Sequence, residues 1–409
     1  ANLASVEGRI ELHSNDALTN LDGFSNLETI EGGLFLEQNK SLADIRGFDT
    51  LASLGALSVN ANPALKQVQG FNNITELGTD LIFRNNESLT SIAGFDQVTL
   101  IKGKYELFQN QSLIDCPTLP KLQAIGGDVT ILDNPVFTTI DTLEALAEIG
   151  GSLNFEKNKA LPTLPEFPKL VSIGGGLSIR NNAVLTKING FIELTEIGGT
   201  LSLVENDTLT TTPPWASLTT IGDGISIRAN SGLTSIIGFN ALTAIGGFFD
   251  LGENNSLEYV DGFQALTELK GAMTFTDNPS LETLGGFDEL PSIGAGLNIQ
   301  NNAELHTISA FSKLTTVAEN ISFENNPSCV TLEAFTSLTS IGESLRIVSN
   351  ESLVHFHGFS NVTDIGGNIM IEANDALEEL DLEDDLDADV DRIDLDQPSQ
   401  PSQTRQRKQ

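Results

Sequence analysis

Apolar and polar positions along this chain repeat with a period of 24 residues. The frame is L-x-[IL]-x-x-N-x-x-L-x-x-I-x-G-F-x-x-L-x-x-I-G-G-x, seen in Leu177-Ser178-Ile179-Arg180-Asn181-Asn182 followed by Leu185, Ile188, Gly190, Phe191, Leu194 and Ile197. Only the first two apolar slots lie two apart, the spacing of a β-strand with one face buried. The slots that follow recur every three residues. Each period therefore predicts one clear strand, with short extended or turn-like segments on the remaining sides. Paired corner glycines such as Gly150-Gly151 and Gly198-Gly199 would supply positive φ or close backbone approach.

The polar mark of each period is an asparagine, at Asn15, Asn39, Asn62, Asn86, Asn110, Asn134, Asn158, Asn182, Asn206, Asn230, Asn254, Asn278, Asn302, Asn326, Asn350 and Asn374, with a single spacing of 23. These define coils 1 to 16. The pattern predicts an all-β, right-handed parallel β-solenoid of about 16 coils over residues 1–380, roughly 75 Å long at ~4.8 Å per stacked strand. One coil could not offset its own ordering entropy, whereas a stack with seven buried apolar slots per coil can. The Asn column reads as a structural ladder that satisfies backbone groups at a solenoid corner. That disposes of sequons such as Asn39-Lys40-Ser41 and Asn206-Asp207-Thr208, because a buried amide cannot carry a glycan. Asn73, Asn320 and Asn361 form sequons outside the ladder and are the candidate modification sites.

The strand-plus-Asn core resembles a leucine-rich repeat, and the frame I-G-G-x-L-x-I-x-x-N-x-x-L-x-x-I-x-G-F is most similar to receptor L-domain-type repeats of extracellular proteins. The resemblance covers about residues 3–380. It implies fold, and an extracellular or cell-surface setting, more than it implies a ligand. The chain departs from the receptors in its many coils and in having no disulfide-bonded ends.

Net charge is −35, with 17 Lys/Arg against 47 Asp/Glu in residues 1–380, so acid is spread along the coils. Nothing resembles a basic stripe, which argues against nucleic acid. No stretch is long and apolar enough to span a membrane. Cys116 and Cys329 occupy core slots nine coils apart, too far to bridge. At the start, Leu3 and Val6 fit the last two apolar slots of a preceding coil, the mark of a processed or trimmed chain and an opening for end-to-end self-association. After Leu380 the frame breaks into an acidic cap or linker over 381–396 and a Pro/Gln/Ser-rich tail over 397–409. Asp387, Asp389 and Asp391 there offer a calcium reading, without the glycine and distal Glu of an EF-hand loop.

No serine-centred elbow, phosphate loop or zinc motif appears, and His306, His355 and His357 lack a further ligand at convincing spacing, so no catalytic, cofactor or metal residues are nominated. Two columns could carry binding. On the outward side of the strands, coils 4 to 6 place Ile82, Arg84, Glu106, Phe108, Thr130 and Leu132 side by side, with Arg180 and Arg228 on the same rank. The second column is a threonine rank through Thr75, Thr99, Thr195, Thr219, Thr243, Thr267, Thr315, Thr339 and Thr363. Threonine ranks resemble the flat faces of ice-binding solenoids, although Ala147, Val171 and Pro291 interrupt this one. The expected function is non-enzymatic: recognition of a protein or glycan through the strand face, or a rigid spacer. A filament-forming surface protein and an ice-binding protein are the alternatives.

Overall fold

A computed structural model describes residues 3–140, 143–380 and 393–394, and the aspartates of the calcium reading lie outside them. The two-apart apolar pairs form four- or five-residue strands that stack in parallel as one open ladder, from Arg9–His13 to Ile369–Glu372 and on to Ile393–Asp394. Each residue pairs with its counterpart one period on, as Leu177 with Leu201 and Ile179 with Leu203. The short period between Asn39 and Asn62 is absorbed at a corner, where Leu54 leads to Leu57 through Gly55-Ala56. The preceding coil uses three residues between Ile30 and Leu34. A solenoid corner tolerates this deletion because the strand register restarts immediately after it.

The other two sides are more regular than the three-residue spacing predicts. Two-residue strands at the Ile-Gly corner form a twelve-stranded parallel sheet, from Ser5–Val6 to Glu268–Leu269, and a four-stranded one from Ser292–Ile293 to Asp364–Ile365. The third side pairs in shorter runs, Asp44–Ile45 to Ser91–Ile92 and Ser235–Ile236 to Thr307–Ser309, with His355–Phe356 against Glu379–Leu380. A 3-10 turn at Asp22–Phe24 is the one helical element among the described residues.

Of the two roles expected for the paired corner glycines, close approach is the general one, and Gly33 is also left-handed, at φ 105°. A Cβ on Gly150 would lie 2.4 Å from the Gly126 carbonyl oxygen, and one on Gly198 would lie 2.2 Å from that of Gly174. Otherwise left-handed backbone falls at the residue before every ladder Asn, with φ of 53–60°, at the glycine before Phe, as in Gly190 at 86°, and at Phe191 and Phe311. The first of these sites is never Gly. It holds Ser, Gln, Ala, Asn, Asp, Lys or Glu, and the cost of that conformation is met because the turn aims the next side chain inward.

That side chain is the ladder Asn, fully buried from Asn39 to Asn350. Asn182 is representative. Its backbone N–H donates to Asn206 Oδ1 at 3.2 Å, and its Nδ2 donates to the Phe155 carbonyl at 3.0 Å and to Asn206 Oδ1 at 3.3 Å. One amide thus ties together three successive coils. Beside it runs an aromatic spine of stacked rings, Phe48–Phe71–Phe95 and then Phe167–Phe191–Trp215–Phe239–Phe263–Phe287–Phe311–Phe335, with centroids about 5–6 Å apart. Leu119 and Leu143 take the spine position in coils 5 and 6.

Candidate functional site: the outer strand face

The strand register brings the sequence-nominated residues together. Ile82 lies opposite Glu106 and Glu106 opposite Thr130, while Arg84 lies opposite Phe108 and Phe108 opposite Leu132. Their exposure needs correction. Ile82 and Glu106 were expected on the open surface, yet both are 8% accessible. The cause is a diagonal ion pair: Arg84 reaches forward one coil, and its Nε and Nη2 both donate to the Glu106 carboxylate. The guanidinium covers the acid. The hydrogen bond to Glu106 raises the Arg84 pKa despite partial burial. Phe108, Thr130 and Leu132 are half-buried, so each offers part of a ring, a methyl or an aliphatic end to solvent.

The other arginines of the rank divide sharply. Arg228 donates to Asp250 at 2.7 Å and to Glu253 at 2.6 Å, and its guanidinium lies over Gly252, where a Cβ would meet Cζ at 2.9 Å. It is consumed by local structure. Arg180 is exposed, and the acid opposite it, Glu156, is taken by Lys157 at 2.9 Å. Arg180 is therefore the cation of this face best placed to meet a partner.

Charge along the rod reinforces that distinction. Residues 99–190 carry eight Lys/Arg against nine Asp/Glu, whereas residues 191–380 carry four against 25. The stretch holding Phe108, Leu132 and Arg180 is nearly neutral within a strongly acidic rod. An acidic macromolecule would be repelled everywhere else along the coils.

The threonine rank is a ladder of its own. From Thr99 onward each hydroxyl of the rank donates to the backbone carbonyl one coil back: Thr99 to Thr75 at 3.0 Å, Thr243 to Thr219 at 3.1 Å, Thr339 to Thr315 at 3.1 Å, and Thr315 to Pro291 at 3.0 Å. Their protons are committed along the rod axis, leaving oxygen lone pairs and methyls outward. The residue pattern did not disclose this, because it shows the column without the direction of the hydroxyls.

Among the described residues, no group of three or more His, Cys, Asp or Glu is placed to hold a metal ion. His355 and His357 stack on each other at 5.4 Å, and His306 Nδ1 contacts the Glu304 carbonyl. Cys116 and Cys329 are buried and unbridged. Burial pushes the Cys329 thiol up to about 12, outweighing the opposing hydrogen bond to the Thr331 carbonyl. Of the three sequons, Asn73 and Asn361 are exposed. Asn320 is half-buried, with its amide bonded to Glu343 and to the Ser344 N–H. No helix among the described residues is long and apolar enough to cross a membrane.

One in-register strand per coil, an apolar interior and a buried asparagine ladder define the class: a parallel β-solenoid of the leucine-rich-repeat kind. No family model matches the chain, and no curated protein matches it. Among solved structures it is similar to a leucine-rich repeat protein from Bacteroides ovatus ATCC 8483, at 14% identity and a TM-score of 0.38, over 87% of this chain and 88% of that one. It is also similar to TLR13 in a TLR13–ssRNA13 complex, at 14% identity and a TM-score of 0.28, over 89% of this chain and 71% of that one. Neither likeness carries a ligand or an activity to this chain.

Proposed function

We propose that this chain is a non-enzymatic recognition protein, displayed outside the cell or on its surface, that binds a protein or glycan through the strand face of coils 4 to 8. The observation that carries the reading is the conjunction of half-exposed Phe108 and Leu132 with open Arg180, in the near-neutral stretch of a rod that is otherwise strongly acidic. A rigid, preformed sheet needs no backbone ordering on binding, and aromatic and arginine side chains are the residue types that dominate interface energies.

The test is a protein and glycan binding panel on the intact chain, followed by variants against whichever partner binds. Phe108→Ala and Arg180→Ala should each weaken attachment by ~1–3 kcal/mol, with the melting temperature unchanged within ~2 °C. Thr243→Ala, on the threonine rank, should leave binding intact. Loss in the threonine variant with full affinity in both face variants would move the site off the strands.

A further inference from the structure

We propose that the third side of coils 11 to 13 carries a second binding site, a groove for a neutral saccharide with Tyr259 as its stacking wall and Gly285 as its floor. The groove encloses about 450 Å³ and is lined by Glu258, Tyr259, Asp261, Glu282, Thr283 and Ser309 around Gly285. Two features separate it from the generic corner of this solenoid.

The first is the glycine. Gly285 occupies the slot two before the spine Phe, where other coils place Arg46, Gln69, Pro213, Ile237 or Asp261. In coil 12 this slot carries no side chain. Nothing in the backbone demands it: Gly285 ends the strand Thr283–Gly285 outside the left-handed region, and a Cβ there would approach only the movable Ser309 Oγ at 3.0 Å and the Val260 carbonyl at 3.7 Å. A glycine inside a strand weakens it, and one without a conformational reason marks a place where something approaches closely.

The second is the aromatic. Of the two tyrosines, Tyr105 is buried and Tyr259 is 44% exposed, standing on the strand Tyr259–Val260 between the small partners Ser235 and Thr283. Tyr259 also lines the groove. An aromatic face with a polar tip suits a ligand that is apolar on one side and hydroxylated on its edges.

The polar lining selects among such ligands. Carboxylates of Glu258, Glu282 and Asp261 accept hydrogen bonds from vicinal hydroxyls, and the Thr283 and Ser309 hydroxyls can donate or accept. No Lys or Arg lines the groove, so anionic sugars and phosphates are disfavoured. Among the described residues no three such carboxylates are placed to hold a metal ion. The molecule also supplies an internal control. The corresponding corner of coils 2 to 4 forms a groove of about 560 Å³, lined by Arg46, Gln69 and Ala93 among others, without an aromatic.

The experiment titrates the intact chain with cellohexaose, laminarihexaose and mannohexaose by calorimetry, with ligand-observed NMR to identify the bound sugar edge. At least one of these neutral oligosaccharides should bind. Tyr259→Ala and Gly285→Ile should each weaken it at least ~10-fold, and Tyr259→Phe should stay within ~3-fold, because the ring face and the open floor do the binding. Ile stands in the same slot two coils earlier, so Gly285→Ile should fold, and unchanged melting temperatures verify it. No binding of any of the three sugars, or equal binding by Tyr259→Ala, overturns the proposal. The strand-face reading is scored separately by Phe108→Ala, so the failure of one site is distinguishable from the failure of the other.

Discussion

Coils 5 to 7 and coils 10 to 13 share one scaffold and differ in nearly everything packed around it. In both, the strands stack in register and the ladder Asn is fully buried. In coils 10 to 13 the spine is an unbroken run of stacked Phe rings, the third side is a four-stranded sheet, and Gly238, Gly262 and Gly286 supply left-handed corners. In coils 5 to 7 the spine holds Leu119 and Leu143, and the third side shows isolated bridges such as Asp115 with Thr139. Thr118, Thr142 and Glu166 stand where the glycines would be. A small apolar void of about 10 Å³ remains there, between Tyr105, Cys116, Leu119, Leu143 and Phe155. The lesson is that strand and Asn ladder suffice to propagate the solenoid, while spine and third side are free to vary. The outer face nominated for recognition sits over the variable segment.

If the ladder is the shared scaffold, removing one amide should cost the same in either region. Asn110→Ala and Asn254→Ala should each destabilise by ~1–3 kcal/mol, because each leaves a backbone N–H of the preceding coil and a strand carbonyl buried without a partner. Exposed Asn361, which donates to the Thr336 carbonyl, should lose well under ~1 kcal/mol as Ala. Chemical denaturation compares the three. A much smaller loss at Asn110 than at Asn254 would show that the scaffold loosens in coils 5 to 7.

The next effect separates two arginines of the strand face. Arg84→Ala strips the partner from Glu106, whose side chain is 11% exposed, and should lower stability by ~1–2 kcal/mol. Arg180→Ala touches no such pair and should stay within ~0.5 kcal/mol. The double variant Arg84→Ala/Glu106→Ala should recover part of the loss, since no uncompensated acid remains. Equal melting temperatures for the two single variants would remove the distinction between a structural and an available cation.

The spine offers a repair. The void in coils 5 to 7 has room for about one water molecule, and its apolar walls favour leaving it dry. Leu119→Phe should fill it and bring a ring toward Phe95, raising stability by ~0.5–1.5 kcal/mol, whereas Phe263→Leu in the regular segment should lower it by ~1–2 kcal/mol. A loss at Leu119→Phe would mean that this segment packs by its own rules, around Tyr105 and its contact with Cys116 Sγ at 3.1 Å.

Much of this was legible beforehand, for a physical reason. Strand, ladder and spine each obey the 24-residue period, and burial makes any exception conspicuous: Leu119 and Leu143 can be seen in the letters alone. The left-handed residue before each Asn was not, because Gln38, Lys157 and Glu205 have no composition that announces positive φ. The burial of Glu106 also escaped. Period and pleat place it outward, and only a long side chain reaching diagonally from the previous coil covers it. Tyr259 and Gly285 each look ordinary in sequence, and they become a groove when the register sets adjacent coils side by side.

The smallest expected effect is a pH dependence carried by Glu324 in the regular part of the rod. Burial pushes its carboxyl up, but hydrogen bonds from Arg346 Nε, at 2.8 Å, and from Ser322 Oγ outweigh burial and hold its pKa below the usual carboxylate range. A depressed folded pKa means that the ionised form stabilises the fold above the unfolded value of about 4.3, and that this contribution is lost as pH falls through the folded pKa. Both side chains are partly open to solvent, which limits the contribution to under ~1 kcal/mol. Thermal melts of wild type and Glu324→Gln at pH 7, 5 and 3 isolate it from the other carboxylates, since only the difference between the two proteins is read. The gap should narrow between pH 5 and 3, as the wild type loses its ionised pair and the amide does not. A gap that stays constant across that window would show that the Arg346–Glu324 pair contributes nothing to the fold.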